Sequence, residues 1–318
     1  MLIDLVALSF PEIPPSLFTI PRLELGGFGL GPIPLRWYSL SYMIGLIIGL
    51  IYTNHLVVRP RLYGGAQPVK KEDLEELFVW LIIGMILGGR LGYVLFYLLP
   101  FTPDVVLQNP MSIFKIWDGG LSFHGGLIGV SLAMIGVSIM RKVPLFSLTD
   151  TVAVPVPIII ALVRCANFIN AELYGRPTDS PLGMVFPEGN AGANAMGPPQ
   201  AWDAVNNVWV YAGDEVARHP SQLYEAVGEG VILAIILSVM ALRFKLLRKP
   251  GVITGTFLIG YAVARTISET FREPDAHIGF VFGGSITQGM ILSFIMLMGG
   301  AYIIYRAMNT QPLKAEAK

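Results

Sequence analysis

Four polar side chains lie close together in the segment RCANFINAELYGR, which starts inside a strongly apolar run of the chain. Arg164 and Asn167 are three residues apart, so they share one face of a helix. Asn170 and Glu172 follow where that helix is expected to end. A guanidinium binds phosphate through two parallel hydrogen bonds, and neighbouring amides add further donors. The segment therefore predicts an anion-binding face.

A second polar stripe is formed by Arg265, Glu269 and Arg272, which stand at i, i+4 and i+7 of a helical pattern. The stripe either satisfies itself as a ladder of ion pairs or holds Arg265 in place for a ligand. Arg272 and Glu273 are expected near the surface, where an ordinary ion pair is favoured. The deeper Arg265 is the stronger candidate for a functional role.

A purely structural alternative exists for Arg164 as well. It could pair with Glu172 or Glu269 inside the membrane and only fix helix packing. The sequence leaves the two alternatives open, because either arrangement compensates the buried charge.

Two glycine-rich strings carry the other candidate side chains. His124 stands among glycines in GGLSFHGGLIG, and Arg90 stands in GGRLGYVLFY. Glycines at such spacings let another backbone or a ligand approach closely. A lone histidine on an apolar segment is either a packing residue or a proton acceptor.

Three further features border these strings. Gly175 stands near the end of RCANFINAELYGR, after Asn167 and Asn170, and predicts a left-handed helix stop. RHPSQLYEAVGEG predicts a helix entry at Pro220, with Ser221 or His219 as the cap. Tyr38 follows a tryptophan at the start of an apolar run, where aromatic residues usually lie at the membrane interface.

The composition requires a membrane protein. Of the 318 residues, 53% are hydrophobic and 14% are charged, and the mean hydropathy is +0.61. The formal net charge is zero, so we expect no nucleic-acid partner. A single cysteine, Cys165, excludes an internal disulfide framework, and four histidines without zinc-site spacing favour no metal. We expect no cofactor, and we do not interpret the N-terminus as a cleaved signal peptide.

The fold class predicted is all-α, a polytopic membrane protein with about seven transmembrane helices and a small extracytoplasmic cap. The predicted spans are Tyr38–Leu56, Leu74–Leu99, Leu121–Met140, Phe146–Ile169, Val227–Leu242, Gly255–Phe271 and Ile286–Ala307. The domains are an extracytoplasmic N-terminal segment (1–37), helices 1–4 (38–170), the cap (171–226), helices 5–7 (227–307) and a cytoplasmic tail (308–318). A short helix is predicted within the cap near Pro199 to Val205.

The distribution of basic residues predicts the orientation. Of the 22 Lys and Arg, thirteen follow the odd-numbered spans, six lie in the alternate segments and three lie within spans. By the positive-inside rule the C-terminus is cytoplasmic and the N-terminus is outside. The segments that carry the polar strings then share the outer side of the membrane.

Six strings together, in collinear order, resemble the prolipoprotein diacylglyceryl transferases, which are polytopic inner-membrane enzymes of bacterial lipoprotein maturation. They are the WY pair at 37–38, GGRLGYVLFY, WDGGLSFHGGLIG, RCANFINAELYGR, RHPSQLYE and RTISETFREPD. The resemblance runs from about Tyr38 to Gly279. Val163 stands where the family's central signature has a glycine and Cys165 fills a free position. Residues 187–216 carry little of the match.

The resemblance implies transfer of the diacylglyceryl group of phosphatidylglycerol to the thiol of a lipobox cysteine in the prolipoprotein signal peptide. A thioether forms and glycerol phosphate leaves. Membrane lipids surround the enzyme, and the nucleophile belongs to the peptide. We expect the inner membrane as the location.

The residues fit this reaction as follows. His124 would accept the thiol proton or hydrogen-bond the headgroup, and Arg265, oriented by Glu269, would stabilise the leaving phosphate. The headgroup site would be formed by Arg164, Asn167, Asn170, Glu172, Gly175, Tyr38 and Arg90.

A transporter or flippase of an anionic lipid is the alternative function. Buried arginine, glutamate and histidine are also typical of ion-coupled carriers. Such carriers often contain inverted repeats and polar sites at the bilayer midplane. The sequence has no recognisable repeat, and its polar strings lie toward one face, which favours the enzyme.

Overall fold

The chain is mostly helical in a computed structural model that describes residues 7–25, 28–30, 33–116, 119–187, 202–203, 206, 208–210, 216–273, 280–282 and 286–314. The α-helices are α1 (Trp37–Val57), α2 (Lys71–Tyr93), α3 (Leu99–Phe101), α4 (Pro103–Gln108), α5 (Phe123–Arg141), α6 (Leu145–Ala153), α7 (Val156–Ile169), α8 (Ser221–Glu225), α9 (Leu233–Leu242), α10 (Val252–Glu269) and α11 (Gln288–Met308). Two π-helical segments, Val94–Leu98 and Ala226–Ile232, continue α2 and α8.

Five of these helical stretches are long and apolar enough to cross a membrane, counting only the described residues. The count becomes six if α6 and α7, which meet at a bend of 43°, form one span. The prediction of a multi-pass helical membrane protein is confirmed, whereas the number seven is not. The helix that is missing from the count is α10, whose last turns contain Arg265 and Glu269. These charges lower its mean hydropathy.

The chain divides into two compact units. The first unit comprises residues 1–49, 155–238 and 255–302, and the second comprises residues 50–154, 239–254 and 303–318.

The second unit is organised by the glycines of α2 and α5. A methyl group on Gly129 would collide with the carbonyl oxygen of Gly84, and one on Gly88 would collide with the carbonyl oxygen of Gly125. The two helices therefore touch backbone to backbone, as the small-residue spacing predicts.

A side chain of α6 binds the start of α10, and both of these parts belong to the second unit. Asp150 is fully buried, and its carboxylate accepts hydrogen bonds from the backbone N–H groups of Gly251 at 2.8 Å and Thr254 at 2.7 Å. The first N–H groups of a helix lack partners within the helix, so this carboxylate satisfies donors that would otherwise be buried alone.

Short strands accompany the helices of the first unit. The strands are β1 (Leu8–Ser9), β2 (Ser16–Ile20), β3 (Leu23–Leu25), β4 (Phe28–Leu30), β5 (Ile33–Arg36), β6 (Met184–Val185), β7 (Trp202–Asp203), β8 (Val208–Trp209), β9 (Ala217–Arg218), β10 (Phe280–Phe282) and β11 (Ile286–Thr287). β6 pairs with β1 in parallel and with β9 antiparallel, so one sheet joins three distant parts of the chain. Beside it, Phe10, Tyr174 and Phe186 pack into a small aromatic core.

Three local predictions are corrected by the backbone. The helix predicted at Pro199 to Val205 lies largely outside the described residues, and its described part, Trp202–Asp203, is a strand paired with β8. The predicted cap at the start of α8 is absent, since Pro220 is the N-cap residue and makes no side-chain bond to the helix. Ser221 instead donates its hydroxyl to the carbonyl of Leu173 at 3.1 Å. The third prediction that the backbone corrects is the left-handed helix stop at Gly175, which has a different role in the site.

Candidate active site

Arg164 lies in the next-to-last turn of α7 and pairs with two glutamates of the helix that begins at Ser221. Its Nε lies 3.1 Å from Oε2 of Glu225, and its Nη2 donates to Oε2 of Glu229 at 3.2 Å. The guanidinium side chain is 15% exposed, and both glutamate side chains are fully buried. The packing partner predicted for Arg164, Glu172 or Glu269, is therefore wrong.

Arg265 approaches the same two glutamates from α10. Its Nη1 donates to Oε1 of Glu225 at 2.8 Å and lies 3.8 Å from Oε1 of Glu229. Its Nη2 pairs with Glu269, one helical turn later on the same helix. Glu269 in turn accepts a hydrogen bond from the hydroxyl of Thr287 at 2.8 Å. The predicted contact between Arg265 and Glu269 is present.

Glu225 is the shared partner of three arginines. Besides Arg164 and Arg265 it accepts a hydrogen bond from Nη1 of Arg272 at 3.3 Å. The prediction of an ordinary surface ion pair for Arg272 is therefore wrong, since its side chain is only 11% exposed. Glu273 instead pairs with Arg218. Arg265 lies on α10 and Arg272 follows three residues after its end, and both reach the same carboxylate.

Close packing of helix backbones brings these groups together. A methyl group on Gly230 would lie 2.6 Å from Cβ of Ala161, so the π-helical segment and α7 approach at a position where only hydrogen fits. This contact lies one turn from Arg164 and next to Glu229. The short separation lets both glutamates reach the guanidinium.

The charges of this cluster balance. Its members are the guanidiniums of Arg164, Arg265 and Arg272 and the carboxylates of Glu225, Glu229 and Glu269. Removing one partner of a buried ion pair leaves the other uncompensated and costs about 3–5 kcal/mol. The six groups therefore act as one electrostatic unit.

Glu225 and Glu229 are the site residues that sequence reasoning missed. Their signal was present, because two carboxylates four residues apart stand at the start of an otherwise apolar span, Ser221–Leu242. Ionisable groups inside a span are functional by default. RHPSQLYE was instead interpreted mainly as a helix entry.

Glu172 has a different environment from the paired glutamates. It is 4% exposed, and its Oε1 accepts hydrogen bonds from the amides of Asn167 at 2.7 Å and Asn170 at 3.5 Å. Burial raises the pKa of Glu172 to about 7, and the two amide hydrogen bonds oppose that rise. This carboxyl group is therefore poised to exchange a proton near neutral pH.

The backbone around Glu172 is unusual. Its two neighbours, Ala171 and Leu173, both have left-handed φ angles, of 51° and 59°. Such angles are rare for residues with a side chain, and they often occur at functional sites. The amide of Gln222 donates to the carbonyl of Glu172 at 2.6 Å and holds this turn in place.

Gly175 is required for contact rather than for a left-handed angle. α7 already ends at Ile169, and the left-handed positions are Ala171 and Leu173. A methyl group on Gly175 would lie 2.8 Å from Cβ of His219 and would also collide with the carbonyl of Phe271. The predicted role of Gly175 as a helix stop is therefore wrong.

Tyr38 lies at the start of α1 and belongs to the same unit as the arginine cluster. Its hydroxyl is 3.4 Å from that of Tyr42, one turn later. Its side chain is within electrostatic range of Glu172 and Arg164.

His124 and Arg90 belong to the second unit. His124 lies in the first turn of α5, is exposed, and contacts the ring of Phe123 edge to face at 5.6 Å. The guanidinium of Arg90 donates to four backbone carbonyls, those of Ser112, Ile113, Gly119 and Gly120. Arg90 is 8% exposed, so these bonds anchor the segment that precedes α5.

Comparison with known proteins gives the arginine cluster its context. The model of the prolipoprotein diacylglyceryl transferase family matches residues 27–306. The chain belongs to this family. A protein of Methylocella silvestris, named phosphatidylglycerol–prolipoprotein diacylglyceryl transferase, is 41% identical over 301 residues, which cover 95% of this chain and all of the relative.

Two other relatives carry the same name. The protein of Rhizobium meliloti is 41% identical over 304 residues, covering 95% of each chain. The protein of Beijerinckia indica subsp. indica is 42% identical over 296 residues, covering 92% of this chain and 97% of the relative. The family match includes every site residue from Tyr38 to Thr287. Membership of a transferase family does not favour the alternative, a transporter or flippase.

Proposed function

We propose that this chain transfers the diacylglyceryl group of phosphatidylglycerol to the thiol of the lipobox cysteine in a prolipoprotein signal peptide. The peptide sulfur bonds to the carbon of the diacylglyceryl group that carries the phosphate. The bond between that carbon and the phosphate oxygen breaks, and glycerol phosphate leaves. The observation that carries the proposal is the convergence of Arg164, Arg265 and Arg272 on shared carboxylates. Transfer from an anionic phospholipid requires guanidinium donors that are held in place for its phosphate.

Arg164 binds the phosphate of the lipid headgroup in this proposal. Its planar guanidinium suits a phosphodiester better than a lysine amine would. Asn167 and Asn170 shape the headgroup site together with Glu172, whose carboxyl they already bond. Tyr38 and Gly175 border it.

Arg265 stabilises the charge that gathers on the phosphate as it leaves, and Glu269 fixes its orientation. A guanidinium held by carboxylates before the reaction does not reorganise during it, and such preorganised groups lower the barrier most. Removing one preorganised donor of this kind typically costs about 2.7–4 kcal/mol of transition-state stabilisation.

His124 accepts the proton of the peptide thiol. A free thiol with a pKa of about 8.5 is mostly protonated at neutral pH, so a base beside it favours attack by taking its proton as the sulfur–carbon bond forms. Arg90, predicted as a substrate-binding residue, acts in this proposal through the segment that leads to His124, which its four carbonyl bonds hold in place.

The enzyme lies in the bacterial inner membrane with its N-terminus outside and its C-terminus in the cytoplasm. The count of basic residues supports this orientation. α10 is the sixth span in chain order and brings the number of spans to seven, with its charged last turns on the outer side. The N-terminal segment 1–37 and the cap 171–226 are both extracytoplasmic, and the pairing of β1 with β6 and β9 supports their location on the same side.

The test uses the full chain in detergent with labelled phosphatidylglycerol and a lipobox peptide. We expect Arg164→Ala and His124→Ala to lose at least about a hundredfold in glycerol phosphate release. Glu273→Gln, which changes only the outlying pair with Arg218, is the matched control. Near-normal turnover of both alanine variants would overturn the assignment.

Cys165→Ser checks the origin of the nucleophile. The thiol of Cys165 is exposed and follows Arg164 in the chain. Because the sulfur comes from the peptide, this variant should retain turnover. Loss of thioether product in a folded Cys165→Ser protein would contradict an external nucleophile.

A further inference from the structure

The arginine cluster is electrically balanced without a ligand. Three guanidiniums face three carboxylates, and the glutamates at 225 and 229 are fully buried. A phosphodiester adds one negative charge to this set. Nε of Arg164 already contacts Glu225, and its Nη2 already donates to Glu229. A phosphate that binds through these donors therefore displaces at least one carboxylate contact.

The two buried glutamates differ in how firmly they are held. Glu225 contacts three arginines, at 2.8, 3.1 and 3.3 Å. Glu229 accepts one hydrogen bond, from Nη2 of Arg164 at 3.2 Å. Its other oxygen, Oε1, lies 3.8 Å from Nη1 of Arg265 and, like Oε2 of Glu225, has no hydrogen-bond donor among the described residues. Glu229 is thus the weakest carboxylate contact of the cluster.

The backbone also distinguishes the two positions. Glu225 is the last residue of α8, whereas Glu229 lies within the π-helical segment Ala226–Ile232. π-helical turns are rare in proteins and occur frequently at functional sites. A small shift of Glu229 therefore disturbs less regular structure than a shift of Glu225.

We propose that Glu229 is the exchangeable counter-ion of Arg164. It neutralises Arg164 in the resting site and gives up Nη2 to the phosphate, while Glu225 stays as the fixed anchor of all three arginines. The proposal rests on the proposed function, in which Arg164 binds the lipid phosphate. It identifies Glu229 as the group of the chain that competes with the lipid phosphate for Arg164.

Competition has a consequence that a structural role does not have. Removing the negative charge of Glu229 should tighten phosphate binding, because the lipid no longer displaces a carboxylate. Glu229→Gln keeps the size of the side chain and an oxygen that accepts from Arg164. We expect the Kd for phosphatidylglycerol to fall about fivefold or more. Fivefold is roughly the lower end of the effects that one binding event typically has on another. Glycerol phosphate should become a stronger product inhibitor in parallel.

Glu225→Gln is the matched comparison on the same helix. It should weaken phosphatidylglycerol binding and lower kcat, since three arginines lose their common anchor. Glu273→Gln should change neither quantity. The measurement is binding of phosphatidylglycerol to the full chain in nanodiscs of phosphatidylcholine, with thermal unfolding to verify folding.

The outcomes separate the headgroup assignment of Arg164 from the exchange at Glu229. If Arg164→Gln leaves the Kd for phosphatidylglycerol unchanged, the headgroup assignment fails. If Arg164→Gln weakens binding and Glu229→Gln weakens it too, the headgroup assignment stands and the exchange is overturned. In an Arg164→Gln chain, adding Glu229→Gln should no longer lower the Kd for phosphatidylglycerol, because no guanidinium remains to be freed. Should Glu229→Gln fail to fold, Glu229→Asp withdraws the carboxylate instead, and a higher Kd there overturns the exchange.

Discussion

Glu225 accepts a hydrogen bond from Arg265 at 2.8 Å, although forty residues separate them in the chain. The carboxylate is fully buried, and it also pairs with Arg164 and Arg272. One side chain from α8 thereby fixes guanidiniums that α7, α10 and the turn after α10 contribute. Every arginine of the cluster therefore contacts this one carboxylate.

Replacing Glu225 by glutamine should destabilise the protein. The amide keeps one acceptor but leaves three guanidiniums short of one negative charge, at a cost of about 3 kcal/mol. Thermal unfolding in detergent measures the loss. Glu273→Gln, at an exposed pair with Arg218, should lower the unfolding midpoint far less. Equal effects of the two substitutions would contradict a central role for Glu225.

Glu172 should make stability depend on pH. Its pKa rises from 4.5 to about 7 on folding, so the folded chain holds this proton more tightly than the unfolded chain does. The resulting stabilisation is complete below pH 4.5 and is lost as the pH rises to about 7. The whole change is on the order of 3 kcal/mol.

The measurement compares unfolding midpoints of the native chain and Glu172→Gln at about pH 5 and about pH 8. The difference between the two pH values should shrink in the variant, because the titrating group is gone. Asp179→Asn, an exposed carboxylate of the same segment, should leave it unchanged. An undiminished pH dependence in Glu172→Gln would show that another group titrates.

Arg90→Lys separates anchoring from headgroup binding. Lysine keeps the charge but cannot bond four carbonyls that approach from different directions, and each buried polar group left alone costs about 1–3 kcal/mol. We expect lower thermal stability and lower kcat with little change in the KM for phosphatidylglycerol. A raised KM at unchanged stability would instead indicate direct contact with the headgroup. Arg61→Lys, at an exposed position, is the control.

Two glycines of α5 offer a matched pair of substitutions. A methyl group at Gly129 meets the backbone of Gly84 on α2, whereas nothing lies within 4 Å of one at Gly136. Gly129→Ala should therefore lower stability by about 1–3 kcal/mol through overpacking. Gly136→Ala should be neutral or slightly stabilising, because alanine favours helix. If both variants unfolded at the same temperature, the close contact of the two helices would be wrong.

The sequence by itself determined the membrane class, the approximate helix bounds and the residue types of the site. Hydrophobic runs of membrane length leave few alternatives to helices, since backbone polar groups must be satisfied inside the bilayer. Spacing within one helix was equally informative, since it correctly placed Glu269 beside Arg265 and indicated that the glycines of α2 and of α5 allow a close approach of another backbone.

Partners from different helices were decided only by the tertiary structure. The sequence offered Glu172 and Glu269 to Arg164, and the structure pairs it with Glu225 and Glu229. Helix periodicity fixes which side chains share a face, but not which helices pack together or how far each is displaced along its axis. That choice follows from backbone contacts such as Gly230 against Ala161, where the absence of a side chain lets two distant segments meet.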